Sequence, residues 1–251
     1  MKKIISLILG LILGCFLFSS CSNSSEPFKE KSYTPDALIK EVCLDVRDRQ
    51  IEVSISEDDQ IHISYFENSQ ETYDITVSDE QVLTMTSASN KDWTDYIGGK
   101  PSAENRKILL QIPDALLDTL TLSTTNEDIS LPALAITKSI NISSNGGNIT
   151  FGNLEVGSAI YLTVKNGDIS GTVVGSYDDF AIQTEIKKGE SNLPDNKDGG
   201  EKNERIHNIV HRGTAAVRWH GKKKGDGAGA SGKVQDRSGG GNDGTKGVRS
   251  L

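Results

Sequence analysis

Cysteine, histidine and aromatic residues are scarce in this chain of 251 residues. Its three cysteines form no CxxC pair, which excludes a disulfide scaffold and a thiolate zinc site. Four histidines and an aromatic content of 6% leave few side chains for a metalloenzyme. The GxSxG, HExxH and P-loop signatures are also absent. The sequence therefore predicts a protein that is not an enzyme and has no cofactor.

Positive charge is also in short supply. The formal net charge of −8 and the pI near 5.1 argue against a nucleic-acid partner. The imbalance is uneven, because residues 200–251 carry 11 Lys and Arg against 5 Asp and Glu, together with 12 of the 25 glycines. Such asymmetry indicates two parts with different properties. Hydrophobic residues, at 35%, still suffice for a folded core.

The N-terminus has the pattern of an exported protein. Met1-Lys2-Lys3 is basic, and the apolar run from Ile4 to Phe18 spans roughly 15 residues, too few to cross a bilayer as a helix. The run ends in small residues followed by Cys21, which resembles the lipobox of bacterial lipoproteins. That resemblance implies lipid on Cys21, removal of residues 1–20, and a membrane-anchored position on the extracytoplasmic face. An ordinary secretory signal with an incidental cysteine is the alternative.

Apolar and polar residues alternate after a tether at 21–38. Val42, Leu44 and Val46 begin a series of period-2 runs that continues to about Met85. This pattern is typical of half-buried antiparallel strands joined by short hairpins. Cys43 falls within the first run and is predicted to be a buried small hydrophobic residue.

A loop of about 20 residues, 88–107, interrupts the strands, and loops of this length are often functional. Trp93 and Tyr96 in this loop could form a stacking platform for a sugar ring. The alternative is that these aromatic residues cap the end of a hydrophobic core.

A 20-residue repeat dominates residues 108–194. The period is too short for paired helices and fits one coil of a β-solenoid, with the apolar positions of successive coils stacked inward. Asn- and Gly-rich turns separate the strands of each coil. The stacked columns are Leu120, Ile140, Ile160 and Phe180; Leu122, Ile142, Leu162 and Ile182; Ile129, Ile149 and Ile169; and Leu134, Leu154 and Val174.

A polar column, Asp128, Asn148 and Asp168, follows the same period. A calcium site is one interpretation. The neutral Asn148, however, separates the two acids by roughly 10 Å, which suits hydrogen bonds at the coil corners better than a shared cation. No metal site is therefore predicted.

Residues 40–195 resemble the "putative adhesin" family of bacterial surface β-solenoids (LiaG-like proteins). The resemblance rests on Ile112-Pro113, a Leu-rich strand, and the repeated Thr-Asn-Glu-Asp-Ile-Ser and Lys-Asn-Gly-Asp-Ile-Ser turns. It implies a right-handed parallel β-helix-like fold at the cell surface and no catalytic residues. The predicted fold class is thus all-β, with antiparallel strands leading into a short solenoid over residues 39–202.

The repeat register is lost in the basic, glycine-rich segment 203–251, which is predicted to be a disordered tail. Three interpretations remain open: a frame-shifted end that replaces the closing coil, an arm that contacts anionic wall polymer or lipid, and a metal site at His207, His211 and His220.

The predicted function is a lipid-anchored binding, adhesion or envelope-sensing module. Its partners are the membrane, through the lipid anchor, and an unidentified envelope protein or glycan. A structural spacer and a polysaccharide-acting parallel β-helix enzyme are the alternatives.

Overall fold

Strands form nearly all of the regular structure of this protein, seen here in a computed structural model. In the part of the chain described, no helix is long and apolar enough to cross a membrane. The all-β prediction is confirmed. The described residues are 26–89, 100–114, 117–199 and 204–221.

The central strands stack as parallel coils with a period of 20 residues. Ile149 pairs in parallel with Ile129, twenty residues earlier, and with Ile169, twenty residues later. All three side chains are fully buried, as the repeat predicts. The strands of this part are β8 (Thr119–Thr124), β9 (Ile129–Leu131), β10 (Leu134–Ile136), β11 (Ser139–Ser144), β12 (Ile149–Val156), β13 (Ala159–Asn166) and β14 (Ile169–Val174).

One predicted column is shifted by a single residue. Leu154 pairs with Val173 and not with Val174, because the register of β12 against β14 changes between Thr150 and Asn153. Val173 is consequently buried in the core. A strict period of 20 could not reveal this irregularity.

The N-terminal strands contribute both to the coils and to an antiparallel cap. They are β1 (Lys29–Tyr33), β2 (Glu41–Asp45), β3 (Gln50–Ile55), β4 (His62–Glu67), β5 (Glu71–Val77), β6 (Val82–Ser89) and β7 (Lys107–Ile112). β2 pairs in parallel with β6 and β8, and β3 pairs in parallel with β7 and β9. The antiparallel pairs are β1 with β4, β4 with β7, and β5 with β6. The predicted antiparallel pairing is therefore wrong for β2 and β3, because alternation predicts strands but carries no information on their direction.

The C-terminal boundary of the fold lies later in the chain than the sequence predicts. After β15 (Phe180–Ser191) and the short β16 (Asn196–Lys197), residues 204–220 form a long strand, β17 (Glu204–His220). The prediction that the fold ends at 203 is therefore wrong for this stretch. Residues 222–251 lie outside the described part of the chain.

β17 lies between β13 and β15 and runs parallel to both. Ile206 pairs with Ile160 on one side and with Ile182 on the other, so the predicted contact of Ile160 with Phe180 is wrong. Ile206 is almost fully buried, as are Val210, Ala215 and Val217 further along the strand. Their burial explains why this stretch folds despite its basic composition.

At both ends of the stack, the order of the strands in the sheet differs from their order in the chain. Along the first sheet the strands run β6, β2, β8, β11, β13, β17, β15. The first coil strand of the chain, β2, and the last, β17, are thus both internal. β2 is hydrogen-bonded along both edges, and so is β17 from Arg205 to Arg212, so these segments leave no open edge for pairing with other chains.

The last coil contains a polar defect. Asn208 is fully buried opposite Thr184, in the row that Leu162 occupies on β13. Among the described residues, neither the side-chain amide of Asn208 nor the hydroxyl of Thr184 has a hydrogen-bond partner. A buried polar group without a partner is destabilising, which makes β17 the least well matched strand of the core.

Candidate binding face

The residues predicted for lipidation and ligand stacking, Cys21, Trp93 and Tyr96, lie outside the described residues. Their roles stay predictions. Cys43 is described and is half-buried, not fully buried as predicted. Burial, assisted by the charge of Asp45, raises the pKa of the Cys43 thiol, so this side chain is protonated and weakly nucleophilic at neutral pH.

The Asp128–Asn148–Asp168 column forms a ladder of hydrogen bonds at the coil corners. The backbone N–H of Asn148 donates to Oδ1 of Asp128 at 2.7 Å, and the N–H of Asp168 donates to Oδ1 of Asn148 at 2.9 Å. Thr214 extends the ladder, because its N–H and its hydroxyl donate to Oδ1 of Asp168 at 2.7 and 2.8 Å. These oxygens therefore hold neighbouring coils in register.

The described residues contain no group of three or more His, Cys, Asp and Glu side chains arranged to hold a metal ion. The histidines proposed for a helical metal site, His207 and His211, lie on the extended strand β17. They are four positions apart, which in a strand separates them by roughly 13 Å. The helix on which that hypothesis depended is not formed.

A column of glycines lies beside the corner ladder. A Cβ on Gly167, at φ +159°, would lie 2.3 Å from the carbonyl oxygen of Gly147. A Cβ on Gly213, at φ +143°, would lie 1.9 Å from the carbonyl oxygen of Gly167. Only glycine permits this backbone conformation and this approach, so the coils can turn here with their backbones in contact.

The outward face of the first sheet is poor in charge across its three central strands, where Lys165 at the end of β13 is the one charged residue. On β8, β11 and β13 the side chains alternate between buried apolar and outward polar positions. Parallel pairing in register places equivalent outward residues side by side. Besides Lys165 and Asn166 at the end of β13, the outward residues are these nine, of which Ala159 is buried: Thr119, Thr121, Ser123, Ser139, Asn141, Ser143, Ala159, Tyr161 and Thr163.

Tyr161 and His207 form an aromatic pair on this face. Their rings stack with centroids 5.1 Å apart and planes inclined by 24°. Tyr161 is 39% exposed, although the residues around it are small. On the other side of Tyr161, Asn141 donates from Nδ2 to Oγ1 of Thr121 at 3.4 Å. The centre of the face thus combines one accessible aromatic surface with hydroxyl and amide groups.

Charged residues border this face. Glu41 and Asp45 project outward from the neighbouring strand β2 on one side, Arg205 and Glu185 project from β17 and β15 on the other, and Lys165 lies at the end of β13. In a chain in which 25% of residues are charged, a neutral area of this extent is a distinct surface. We call the nine outward residues of β8, β11 and β13, together with His207, the neutral face.

Residues 39–171, more than half of the chain, match the Toastrack DUF4097 family. The chain belongs to this family. The match covers all the coils up to β14, including β8, β11 and β13 of the neutral face. No curated protein matches the chain.

Solved structures resemble this Toastrack protein in fold at low sequence identity. A "putative cell adhesion protein" from Clostridium sporogenes is 12% identical, with a TM-score of 0.50, over 78% of this chain and 100% of that protein. A "putative adhesin" from Bacteroides fragilis is 14% identical, with a TM-score of 0.32, over 78% and 98%. The first of these supports the β-solenoid-like fold.

The neutral face of this Toastrack protein was not predicted from the sequence, because the apolar period that reveals the coils belongs to the inward columns. The same period of 20 aligns Thr121, Asn141 and Tyr161 outward, and that column was available as a signal. His207 could not be placed, because it belongs to the segment predicted to lie outside the fold.

A buried ion pair fastens the antiparallel cap of this Toastrack protein to its coils. Arg49 is 4% exposed, and its Nη2 donates to Oε2 of Glu71 at 2.5 Å while its Nε donates to the hydroxyl of Tyr73 at 2.5 Å. Burial raises the pKa of Tyr73, and Arg49 opposes that shift. The Oγ1 of Thr124 on β8 donates to the Arg49 carbonyl at 2.7 Å. This cluster therefore joins β5 to the coil corner and has a structural role.

Proposed function

We propose that this protein is a lipid-anchored binding module on the extracytoplasmic face of the bacterial cell membrane. Three observations support the proposal. The N-terminal sequence ending at Cys21 resembles a lipobox, the chain belongs to the Toastrack family, and a protein of similar fold carries the name "putative cell adhesion protein". Together they favour an adhesion-like role at the cell surface, with an envelope protein or glycan as the partner.

The neutral face is the observation that carries the binding role. Surfaces that recognise other molecules are typically poor in charge and rich in Tyr, Ser and Asn, because Tyr supplies rigid contact area and small polar residues supply adaptable hydrogen bonds. The area around Tyr161 has this composition. A spacer would need no such surface.

The second part of the proposal is that this protein binds its partner and catalyses no reaction. It is supported by the way in which carboxylates are used at the coil corners. The Asp118 carboxylate accepts from the hydroxyl of Thr137 at 2.5 Å and pairs with Nζ of Lys138 at 2.9 Å, and these contacts lower its pKa. Like Asp128 and Asp168, it holds neighbouring coils together.

The test is binding to envelope fractions of the native host. The mature chain, kept in a polyoxyethylene detergent, is compared with Thr163→Glu on the neutral face and with Thr150→Glu, an exposed position on β12, which is not a strand of the neutral face. We expect Thr163→Glu to reduce retention strongly and Thr150→Glu to leave it unchanged. Equal retention of all three proteins would favour the spacer. New reducing or unsaturated ends from envelope polysaccharide would overturn the non-catalytic part.

A further inference from the structure

We infer that the neutral face binds an uncharged polysaccharide that lies across the coils, parallel to the stacking direction. This inference rests on the proposed function, since it names the chemistry of the ligand for the same surface. It depends on the charge, the repetition and the single aromatic centre of the face.

The charge of the face selects a neutral ligand. The hydroxyls of Thr121 and Ser143 and the amide of Asn141 both donate and accept hydrogen bonds, which suits a ligand rich in hydroxyl groups. The nine uncharged outward positions of β8, β11 and β13 offer no cation to a polyanion, and Lys165, at the end of β13, is the one cation on these three strands. The outward carboxylates Glu41 and Asp45 on the adjacent β2 would repel one.

The repetition of the face favours a polymer. Five consecutive strands contribute one outward residue each to a single row, with the parallel strands spaced about 4.8 Å apart. A chain lying along this row meets similar groups at regular intervals, as in the extended binding surfaces of other solenoids. The row is Thr121, Asn141, Tyr161, His207 and Gln183.

The setting of Tyr161 favours a glycan over a protein as the ligand. Protein interfaces have an apolar core, whereas Tyr161, which is 39% exposed, is the only large hydrophobic side chain among the residues of the neutral face. One aromatic ring among hydroxyl groups suits the apolar C–H surface of a sugar ring, with the phenol hydroxyl and the His207 ring as further hydrogen-bonding groups. The face is therefore assigned to a sugar polymer.

The experiment is calorimetric titration of the mature full-length chain with two neutral probes, chitohexaose and a soluble β-glucan, and one acidic probe, polygalacturonate. The chain is kept in a polyoxyethylene detergent, because glycoside detergents would compete. The key variant is Tyr161→Ala, with Tyr161→Phe as the conservative change. Tyr177→Ala is the matched control, since Tyr161 and Tyr177 are 39% and 38% exposed and lie in different parts of the fold. Thermal melting of each variant verifies folding.

We expect at least one neutral probe to bind and polygalacturonate not to bind. Tyr161→Ala should weaken that binding about tenfold or more, Tyr161→Phe less than about threefold, and Tyr177→Ala should have no effect. The inference is overturned if neither neutral probe binds at millimolar concentration, if the acidic probe binds more tightly, or if Tyr161→Ala has no effect.

Failure of the inference is distinguishable from failure of the proposed function. If Thr163→Glu abolishes retention on envelopes while neither neutral probe binds, the face is a binding site for another ligand and only the glycan assignment falls. If retention on envelopes is also insensitive to Thr163→Glu, both fall.

Discussion

The phenyl ring of Phe151 fills the space that a Cβ on Gly171 would occupy. A Cβ built on Gly171 would come within 2.1 Å of Cδ2 of that ring. Phe151 lies on β12, and Gly171 lies on the neighbouring strand β14, twenty residues later. The missing side chain on one coil thus accommodates the large ring of the coil before it, and the repeat tolerates a Phe where the previous coil has Leu131.

Gly171→Ala should consequently destabilise the fold by overpacking, by about 1–3 kcal/mol. Urea denaturation of the purified chain measures the change in the free energy of unfolding. In a Phe151→Leu background, which restores the residue type of the preceding coil, the same substitution should cost clearly less. Equal costs in the two backgrounds would show that the ring is not the obstacle.

Ile149→Ala should lower the free energy of unfolding by about 2–5 kcal/mol. Ile149 is fully buried between Ile129 and Ile169, and coils held on both sides cannot collapse onto the cavity. Thr150→Ala, at the next and outward position, is the control and should change stability little. A thermal melt of the Ile149 variant that coincides with that of the parent would refute the inward assignment.

Asn208→Leu should raise the free energy of unfolding by about 1–3 kcal/mol. The substitution removes a buried amide that has no partner among the described residues and restores the residue type that Leu162 provides on β13. Asn208→Asp should have the opposite effect, because it places a charge at the same buried position. Denaturation midpoints compare the three proteins. If Asn208→Leu were neutral or destabilising, β17 would not lie in the core as described.

Asp58 gives the fold a pH dependence on the acid side. Hydrogen bonds from His62, Ser56 and the backbone of Gln60 lower the pKa of Asp58 to about 2 from 3.8. Because the pKa is depressed in the folded state, the stabilisation is present above pH 3.8 and is lost as the pH falls from about 4 to about 2. Melting temperatures across this window should fall less steeply in Asp58→Asn than in the parent, and Asp59→Asn should follow the parent. Parallel curves for all three proteins would contradict the assignment.

Lipid attachment should depend on Cys21 alone. Metabolic labelling with palmitate should be abolished by Cys21→Ala, because the lipobox resemblance assigns the thioether to this sulfur. Cys43→Ala should retain the label, since this half-buried thiol lies on β2 within the fold. Label retained in the Cys21 variant would rule out lipidation at this residue.

The parts of the fold that were predictable from sequence are those that repeat. Ile129, Ile149 and Ile169 recur every 20 residues and are all fully buried, so their equivalent positions in the repeat correctly predicted equivalent positions in the core. Strand direction in the N-terminal part was not predictable, because alternation is the same for parallel and antiparallel strands. β17 was missed for a physical reason: its inward face carries Asn208 beside Ile206 and Val210, and a polar residue at a core position erases the signal on which pattern reading depends.

The position of β2 between β6 and β8 affects how the molecule resists a pulling force. If the chain is held at its N-terminus while its neutral face is bound to a partner, tension reaches β1 first and then β2. Among the described strands β1 pairs with β4 alone, so it can separate early. β2 is held by parallel neighbours on both edges, β6 and β8, and drawing it out along its own axis requires two ladders of hydrogen bonds to shear at once. Under such a load β2, and not the more terminal β1, is the strand that resists extraction, and the rate at which it yields sets the lifetime of the loaded domain.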